Sequence, residues 1–178
     1  MMKKSVKRMA AGFMAAGMIL STGVPAYAGL FGGKKAAAET TAAAAEKTEY
    51  TFTYKDQEIK LDAEAAPILK ELGKYDSVFE EQSCAYQGLD RVYMYPGVEI
   101  ATYPVKNKEH VSALYITDNT VATPEGIKIG STYDQMVKAY GKDYTEEFGV
   151  YRYVLGTSQV AFYTTKNVVD SIEYLIKK

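Results

Sequence analysis

Residues 126–141 read GIKIGSTYDQMVKAYG, and residues 58–73 read EIKLDAEAAPILKELG at an offset of 68 residues. Both stretches begin with an apolar/polar alternation typical of a short strand and end on glycine. In between, apolar residues recur at i, i+3, i+4 and i+7, which is the spacing of one helical face. The faces consist of Ala65, Ile68, Leu69 and Leu72, and of Tyr133, Met136, Val137 and Tyr140. We therefore predict two helices, each ended by a glycine at Gly73 or Gly141.

The two predicted helices differ at their starts. Ser131 stands three residues before Asp134, which predicts a capping arrangement for the second helix. In the first, Asp62 is the predicted cap, and Pro67 is expected to delay or distort the helix.

A second correspondence follows each predicted helix, now at an offset of 60 residues. Residues 98–116 align without gaps on residues 158–176, and each stretch has a Lys-Asn pair between two alternating segments. This pattern predicts two strands joined by a turn. Residues 90–95 and 150–155 add an earlier strand to each group. The helix is thus followed by a three-stranded antiparallel meander in both halves.

The predicted fold class is α+β, with two tandem repeats over residues 50–117 and 118–178. Residues 50–54 add an N-terminal hairpin through residues 55–57, and residues 111–117 are expected to form its counterpart with a strand at Ile127. A unit of this size cannot bury both a helix stripe and a sheet face alone, so the repeats should share one core within residues 50–178.

The stretch at residues 126–141 resembles the opening of β-lactamase-inhibitor-protein-like domains, I-x-x-G-x-[ST]-x-x-[EQ]-[VM]-x-x-x-x-G. It is also similar to the helix-plus-meander unit of small outer-membrane assembly lipoproteins. Residues 83–93 and 123–127 look like segments of uncharacterised exported bacterial proteins, many of them lipoproteins. The resemblance implies a tandem αβ fold whose curved sheet is available for protein contacts, and it does not imply that a β-lactamase is the target.

The first 28 residues have the pattern of a secretory signal peptide. Lys3, Lys4, Lys7 and Arg8 precede an apolar stretch that is short for a membrane span, and Ala26-Tyr27-Ala28 matches a cleavage site. Residues 29–49 are Ala-rich and predict a flexible tether. Removal of the four positive charges leaves 17 Lys+Arg against 22 Asp+Glu, a net charge of −5. We expect a secreted, extracytoplasmic protein with no stable membrane span and no nucleic-acid partner.

The chain has 16 Tyr, six Phe and no Trp. Strand alternation sorts most strand residues into two faces. One face is aliphatic and is expected to pack under the helices; it holds Val92, Met94, Ile100, Leu114, Ile116, Val154, Val160, Phe162, Ile172 and Ile176. The other is predicted to be a partner-binding surface and holds Arg91, Tyr93, Tyr95, Tyr103, Tyr115, Tyr151, Tyr153, Tyr163 and Glu173. Tyr suits recognition because it has a large apolar area, few rotatable bonds and a hydroxyl.

Catalytic and metal-binding motifs are missing from the sequence. Cys84 and His110 are single, and no phosphate loop, nucleophile elbow or paired Cys motif occurs. We predict no enzyme activity, cofactor, catalytic residue or metal site. The expected function is that of an exported protein-binding module, with inhibition as one form, acting on an unknown exported or envelope protein. The alternative is an accessory protein in the assembly or structure of the cell envelope.

Overall fold

Ten strands and two short helices make up the described part of the chain, residues 47–177, in a computed structural model. The predicted signal peptide and nearly all of the predicted tether lie outside the described residues. The helices are α1, Ala65–Leu72, and α2, Tyr133–Tyr140. The strands are β1 Phe52–Tyr54, β2 Gln57–Ile59, β3 Ser77–Gln82, β4 Leu89–Tyr95, β5 Val98–Val105, β6 Lys108–Ile116, β7 Thr145–Glu147, β8 Val150–Leu155, β9 Ser158–Thr165 and β10 Val168–Ile176.

Eight of these strands form one antiparallel sheet in the order β3-β4-β5-β6-β10-β9-β8-β7. Strands β1 and β2 form a separate two-stranded hairpin, so the predicted α+β class and N-terminal hairpin are confirmed. The edge strands β3 and β7 were not predicted. Because β3 reads SVFEEQ and β7 reads TEE, neither shows the apolar/polar alternation of a half-buried strand.

Both helices use the predicted apolar faces, but their starts differ from the prediction. Thr132 caps α2 through a reciprocal pair of hydrogen bonds with Gln135, so the cap lies one residue after Ser131. At α1, the residue at the cap position is Glu64, which makes no capping bond through its side chain, and the predicted cap Asp62 takes a left-handed conformation instead. Pro67 is the third residue of the helix. The N–H groups of the first helical turn have no carbonyl partner within the helix, so the N–H that Pro67 lacks costs no helical hydrogen bond.

The segment before each helix is tied to the sheet by backbone hydrogen bonds. The Asp62 N–H donates to the Val111 carbonyl, and the Gly130 N–H donates to the Val169 carbonyl. No strand forms between residues 117 and 131 of the described chain, so the predicted hairpin with Ile127 is wrong. This connection is held by local turns, in which the Asp118 carboxylate accepts from the Thr120 N–H and the Thr123 carbonyl accepts from Gly126.

The core lies between the sheet and the layer formed by the helices and the β1–β2 hairpin. One row of side chains in register across six strands is almost fully buried. It consists of Tyr93, Ile100, Leu114, Tyr174, Val160 and Tyr153. Phe52 of the hairpin packs on this row, with its ring 5.3 Å from the Tyr174 ring. We call this side of the sheet the helix-bearing face and the opposite side the open face.

Candidate binding surface

The tyrosines expected on one exposed face lie on both faces of the sheet. Tyr93, Tyr95 and Tyr153 are only 8%, 4% and 1% exposed and belong to the core. Tyr151 lies on the same helix-bearing face, with its ring 5.2 Å from that of Tyr133 in α2. For these four residues, and for Arg91 beside Tyr93, the predicted face is wrong.

Tyr103, Tyr115 and Tyr163 lie on the open face, as predicted. Tyr115 pairs across the strands with Glu99 and Glu173, and Tyr163 donates a hydrogen bond to Glu173 over 2.8 Å. All three rings are half-buried. The structure therefore places three of the seven predicted tyrosines on the open face.

The wrong prediction of which side of β4 and β8 faces the core has a simple geometric cause. Each strand turns into the next through two residues, at Pro96-Gly97 and at Gly156-Thr157. A two-residue turn fixes the register, so Tyr93 pairs with Ile100 and Tyr153 pairs with Val160. Paired residues point to the same side of a sheet, and both tyrosines therefore share the side of the aliphatic core. Counting back from these turns would have identified the correct face.

Two of the buried tyrosines, Tyr95 and Tyr153, donate their hydroxyl hydrogen bonds to the ends of the helices. The Tyr95 hydroxyl donates to the carbonyl of Gly73, which ends α1, over 3.3 Å. The Tyr153 hydroxyl donates to the carbonyl of Gly141, which ends α2, over 3.0 Å. Helix C-termini have carbonyls without intrahelical partners. Tyr thus supplies apolar area for the core and a hydrogen bond for the end of each helix.

Arg91 belongs to a polar network on the helix-bearing face rather than to an exposed patch. Its guanidinium contacts the carboxylates of Glu80 and Glu109. Glu109 also accepts from the Tyr93 hydroxyl over 2.8 Å and from the Thr102 hydroxyl over 3.1 Å. Burial and this carboxylate raise the pKa of Tyr93, which keeps the hydroxyl protonated as a donor. The network closes one side of a groove of about 500 Å³ beside α1.

The open face carries two rows of side chains that cross the sheet in register. The apolar row, in which Gln159 is the one polar residue, consists of Phe79, Val92, Ala101, Ala113, Leu175, Gln159 and Val154. The polar row consists of Ser77, Met94, Glu99, Tyr115, Glu173, Ala161, Arg152 and Thr145. Phe79 and Val154, at opposite ends of the apolar row, are 52% and 43% exposed. Within residues 47–177, both helices pack on the other face.

Two carboxylates flank the tyrosine at the centre of the open face. Glu99 and Glu173 flank Tyr115, and the pKa of Tyr115 is raised by burial and then by these two carboxylates. Arg152 lies in the same row, two strands from Glu173. The centre of this face is therefore an aromatic ring between two carboxylates, with an apolar row beside it.

One corner of the open face is more polar. The Tyr103 hydroxyl donates to the Asp62 carboxylate, and this bond, followed by burial, raises the pKa of Tyr103 to about 12. His110 contacts the backbone of the same residue, with its Nδ1 2.7 Å from the Asp62 carbonyl oxygen. The ring of Tyr86 lies 5.1 Å from the ring of Tyr103. Asp62, Tyr86 and His110 are thus held together around Tyr103.

The size of the open face suits a protein partner. Strands lie about 4.8 Å apart, so eight strands span roughly 34 Å. Seven of them have six to nine residues, or roughly 20–30 Å at about 3.3 Å per residue. The product is roughly 700–1,000 Å², and a standard interface buries about 800 Å² per partner.

Among residues 47–177, no group of three or more His, Cys, Asp or Glu side chains is placed to hold a metal ion. Neither described helix is long and apolar enough to cross a bilayer.

Comparisons of the chain with protein-family models, with curated proteins and with solved structures find no match.

Proposed function

We propose that this protein is exported and acts as a non-enzymatic, inhibitor-like binding module that holds another protein against the open face. The observation that carries the proposal is the apolar row from Phe79 to Val154, which crosses the sheet on the side away from the helices. Phe79 and Val154 are the most exposed members of this row, and apolar side chains gathered on one exposed face support an interaction site. Tyr103, Tyr115 and Tyr163 supply aromatic anchors of the kind enriched in interfaces.

The chemistry of the open face restricts the partner. Aliphatic or aromatic side chains would pack on the apolar row, and a Lys or Arg would meet the two carboxylates beside Tyr115. A fully desolvated cation-carboxylate contact at this position would fix the orientation of the partner more than it would add affinity. The expected partner is therefore a folded exported or envelope protein with an apolar patch next to a basic side chain.

The proposal includes a duplicated unit of helix and meander, as in β-lactamase-inhibitor-protein-like domains. The strand order supports this duplication. Starting from the central β6–β10 pair, the strands that follow α1 extend to one edge of the sheet and the strands that follow α2 extend to the other edge. Further support comes from the matching bonds of Tyr95 to Gly73 and of Tyr153 to Gly141. Each unit would contribute half of the open face.

Site-specific photo-crosslinking in the producing cells tests the open face. A benzophenone amino acid replaces Tyr115 in one variant and Phe148 in another. Phe148 is the matched control because it is 95% exposed in the turn before β8. We expect a discrete adduct from position 115 and none from position 148. The double variant Glu99→Lys/Glu173→Lys should reduce the adduct at least tenfold.

The proposal is wrong if position 115 gives no adduct while the variant remains folded. It is also wrong if positions 115 and 148 yield the same set of adducts, since that would indicate random collisions. Circular dichroism of the purified variants checks the fold.

A further inference from the structure

Within residues 47–177 the sheet ends in two edge strands, β3 and β7, and their edges are protected very differently. β7 has three residues, a length that gives another strand little to pair with. β3 has six residues, and every one of them is exposed. Natural proteins usually shorten or cover such an edge because its free backbone groups can pair with another chain. In this protein only one edge is shortened.

The backbone of β3 presents a regular set of unpaired groups. The Ser83 N–H donates to the Gly88 carbonyl over 3.0 Å, and the register continues through the pairs Glu81/Asp90 and Phe79/Val92. In an antiparallel ladder the bonded pairs alternate with pairs whose N–H and C=O groups point away. The N–H and C=O groups of Val78, Glu80 and Gln82 therefore point to the outside of the sheet.

Exposed apolar side chains cluster around this edge. Of the seven large hydrophobic residues that are exposed in the described chain, four lie between positions 75 and 86: Tyr75, Val78, Phe79 and Tyr86. Phe79 and Val78 project from opposite faces of β3, since neighbouring side chains in a strand alternate. A strand added beside β3 would cover both.

The charge of the segment defines which strand would fit. Residues 75–90 contain Asp76, Glu80, Glu81 and Asp90, and they contain no Lys or Arg. Glu80 is paired with Arg91, whereas Glu81 takes part in none of the ion pairs of residues 47–177. A second copy of β3 would bring like charges together across the new ladder, which is destabilising.

We propose that β3 is a docking edge for an extended segment in which apolar and basic residues alternate. The segment adds a ninth strand to the sheet through the outward backbone groups of Val78, Glu80 and Gln82. Its apolar side chains cover Val78 on one face of the sheet. On the other face, which carries Phe79 and Glu81, a Lys or Arg pairs with Glu81 and lays its aliphatic stem beside Phe79. This mode of recognition gives affinity through the main chain and specificity through alternate side chains. It goes beyond the binding proposed for the open face and does not depend on it.

The test uses the full chain and a capped nine-residue peptide that alternates Lys and Val, with a peptide of alternating Glu and Val as the charge control. Hydrogen exchange by NMR follows individual amides. On binding, the amides of Val78, Glu80 and Gln82 should slow at least tenfold, while those of Phe79 and Glu81, already bonded to β4, should change little. The Glu-Val peptide should give no slowing.

Two variants at one position separate the backbone contact from the side-chain contact. Val78→Pro removes one outward N–H and leaves the β3–β4 ladder intact, because Pro is tolerated on the free side of an edge strand. Val78→Thr keeps the N–H and the branched shape. We expect Val78→Pro to weaken binding at least tenfold and Val78→Thr to weaken it less than threefold.

A third variant tests the charge contact. Glu81→Lys, an exposed change that should leave the fold intact, should transfer the preference to the Glu-Val peptide.

Equal binding of the Pro and Thr variants, or equal binding of the two peptides, would overturn the proposal. Slow exchange of the same amides in the absence of peptide, becoming slower as the protein concentration rises, would also overturn it, because a second copy of the chain would then be the occupant. Crosslinking from position 115 is a separate readout, so failure at β3 and failure of the open face are distinguishable.

Discussion

Tyr153 shows at the residue scale why tyrosine is so frequent in this chain. Its ring is 1% exposed and lies 5.2 Å from the ring of Tyr140 in α2. Its hydroxyl reaches the end of the helix and donates to Gly141. An eight-residue helix has only two turns, so it covers little of the sheet by itself. Large planar side chains fill the remaining space, and their hydroxyls bind polar groups at its margin.

Loss of this single hydroxyl should be measurable. Tyr153→Phe keeps the ring and leaves the Gly141 carbonyl without its donor, so we expect the free energy of unfolding to fall by about 1 kcal/mol. Tyr115→Phe is the matched control, because the Tyr115 hydroxyl has no hydrogen-bond partner among residues 47–177, and its effect should be close to zero. Urea denaturation of the two variants measures both. An equal effect of the two substitutions would contradict the assignment of the two tyrosines to different faces.

The sequence predicts which side chains face the core in β5, β6, β9 and β10, but it predicts the wrong side for β4 and β8. Ile100, Leu114, Val160 and Ile172 were placed correctly because they are aliphatic and lie in strongly alternating strands. In β4, hydrophobicity favoured Val92 and Met94 over Tyr93, and in β8 it favoured Val154 over Tyr153. Hydrophobicity scales undervalue a Tyr whose hydroxyl is bonded within the protein. The turn register, read first, would have corrected both strands.

At the element scale, the two helices end in the same way but begin differently. Gly73 and Gly141 both have positive φ, at 73° and 86°, and each N–H donates to a carbonyl of the preceding turn. Only α2 has a capping box, between Thr132 and Gln135. The start of α1 is fixed mainly by the backbone bonds between residues 62–63 and Val111.

This difference predicts unequal effects of capping substitutions. Thr132→Ala removes the side-chain acceptor for the Gln135 N–H and should lower the free energy of unfolding by about 1 kcal/mol. Glu64 occupies the same position of α1 but makes no capping bond, so Glu64→Ala removes only an exposed ion pair with Lys108. Its effect should be no more than a few tenths of a kcal/mol. Thermal unfolding of both variants measures the difference, and a larger loss for Glu64→Ala would contradict the helix boundaries.

The two edge strands, β3 and β7, are elements that the sequence pattern does not predict. β3 and β7 bury none of their residues, so burial leaves no periodic pattern in their sequences. They are strands because β4 and β8 offer free backbone groups beside them. That cause lies in tertiary structure and is not visible in a local window of sequence.

At the scale of the whole molecule, the central pairing of β6 with β10 joins the strands of both halves into one sheet. Four residue pairs, from Ile172/Ile116 to Leu175/Ala113, make this junction. On one side of the junction Leu114 and Tyr174 are buried in the core. On the other side Tyr115 and Glu173 stand at the centre of the open face. The same two strands thus complete the core and the proposed binding surface.

The proposed binding surface exists only if the tyrosines are divided between the two faces of this sheet. Limited nitration of the folded, full-length protein with tetranitromethane, read by peptide mass spectrometry, measures this division directly. Reagent reaches exposed rings first, so Tyr103, Tyr115 and Tyr163 should be nitrated well before Tyr93, Tyr95 and Tyr153. Denatured protein, in which all six should react alike, is the control. Early nitration of Tyr93, Tyr95 and Tyr153, with protection of the other three, would contradict the account.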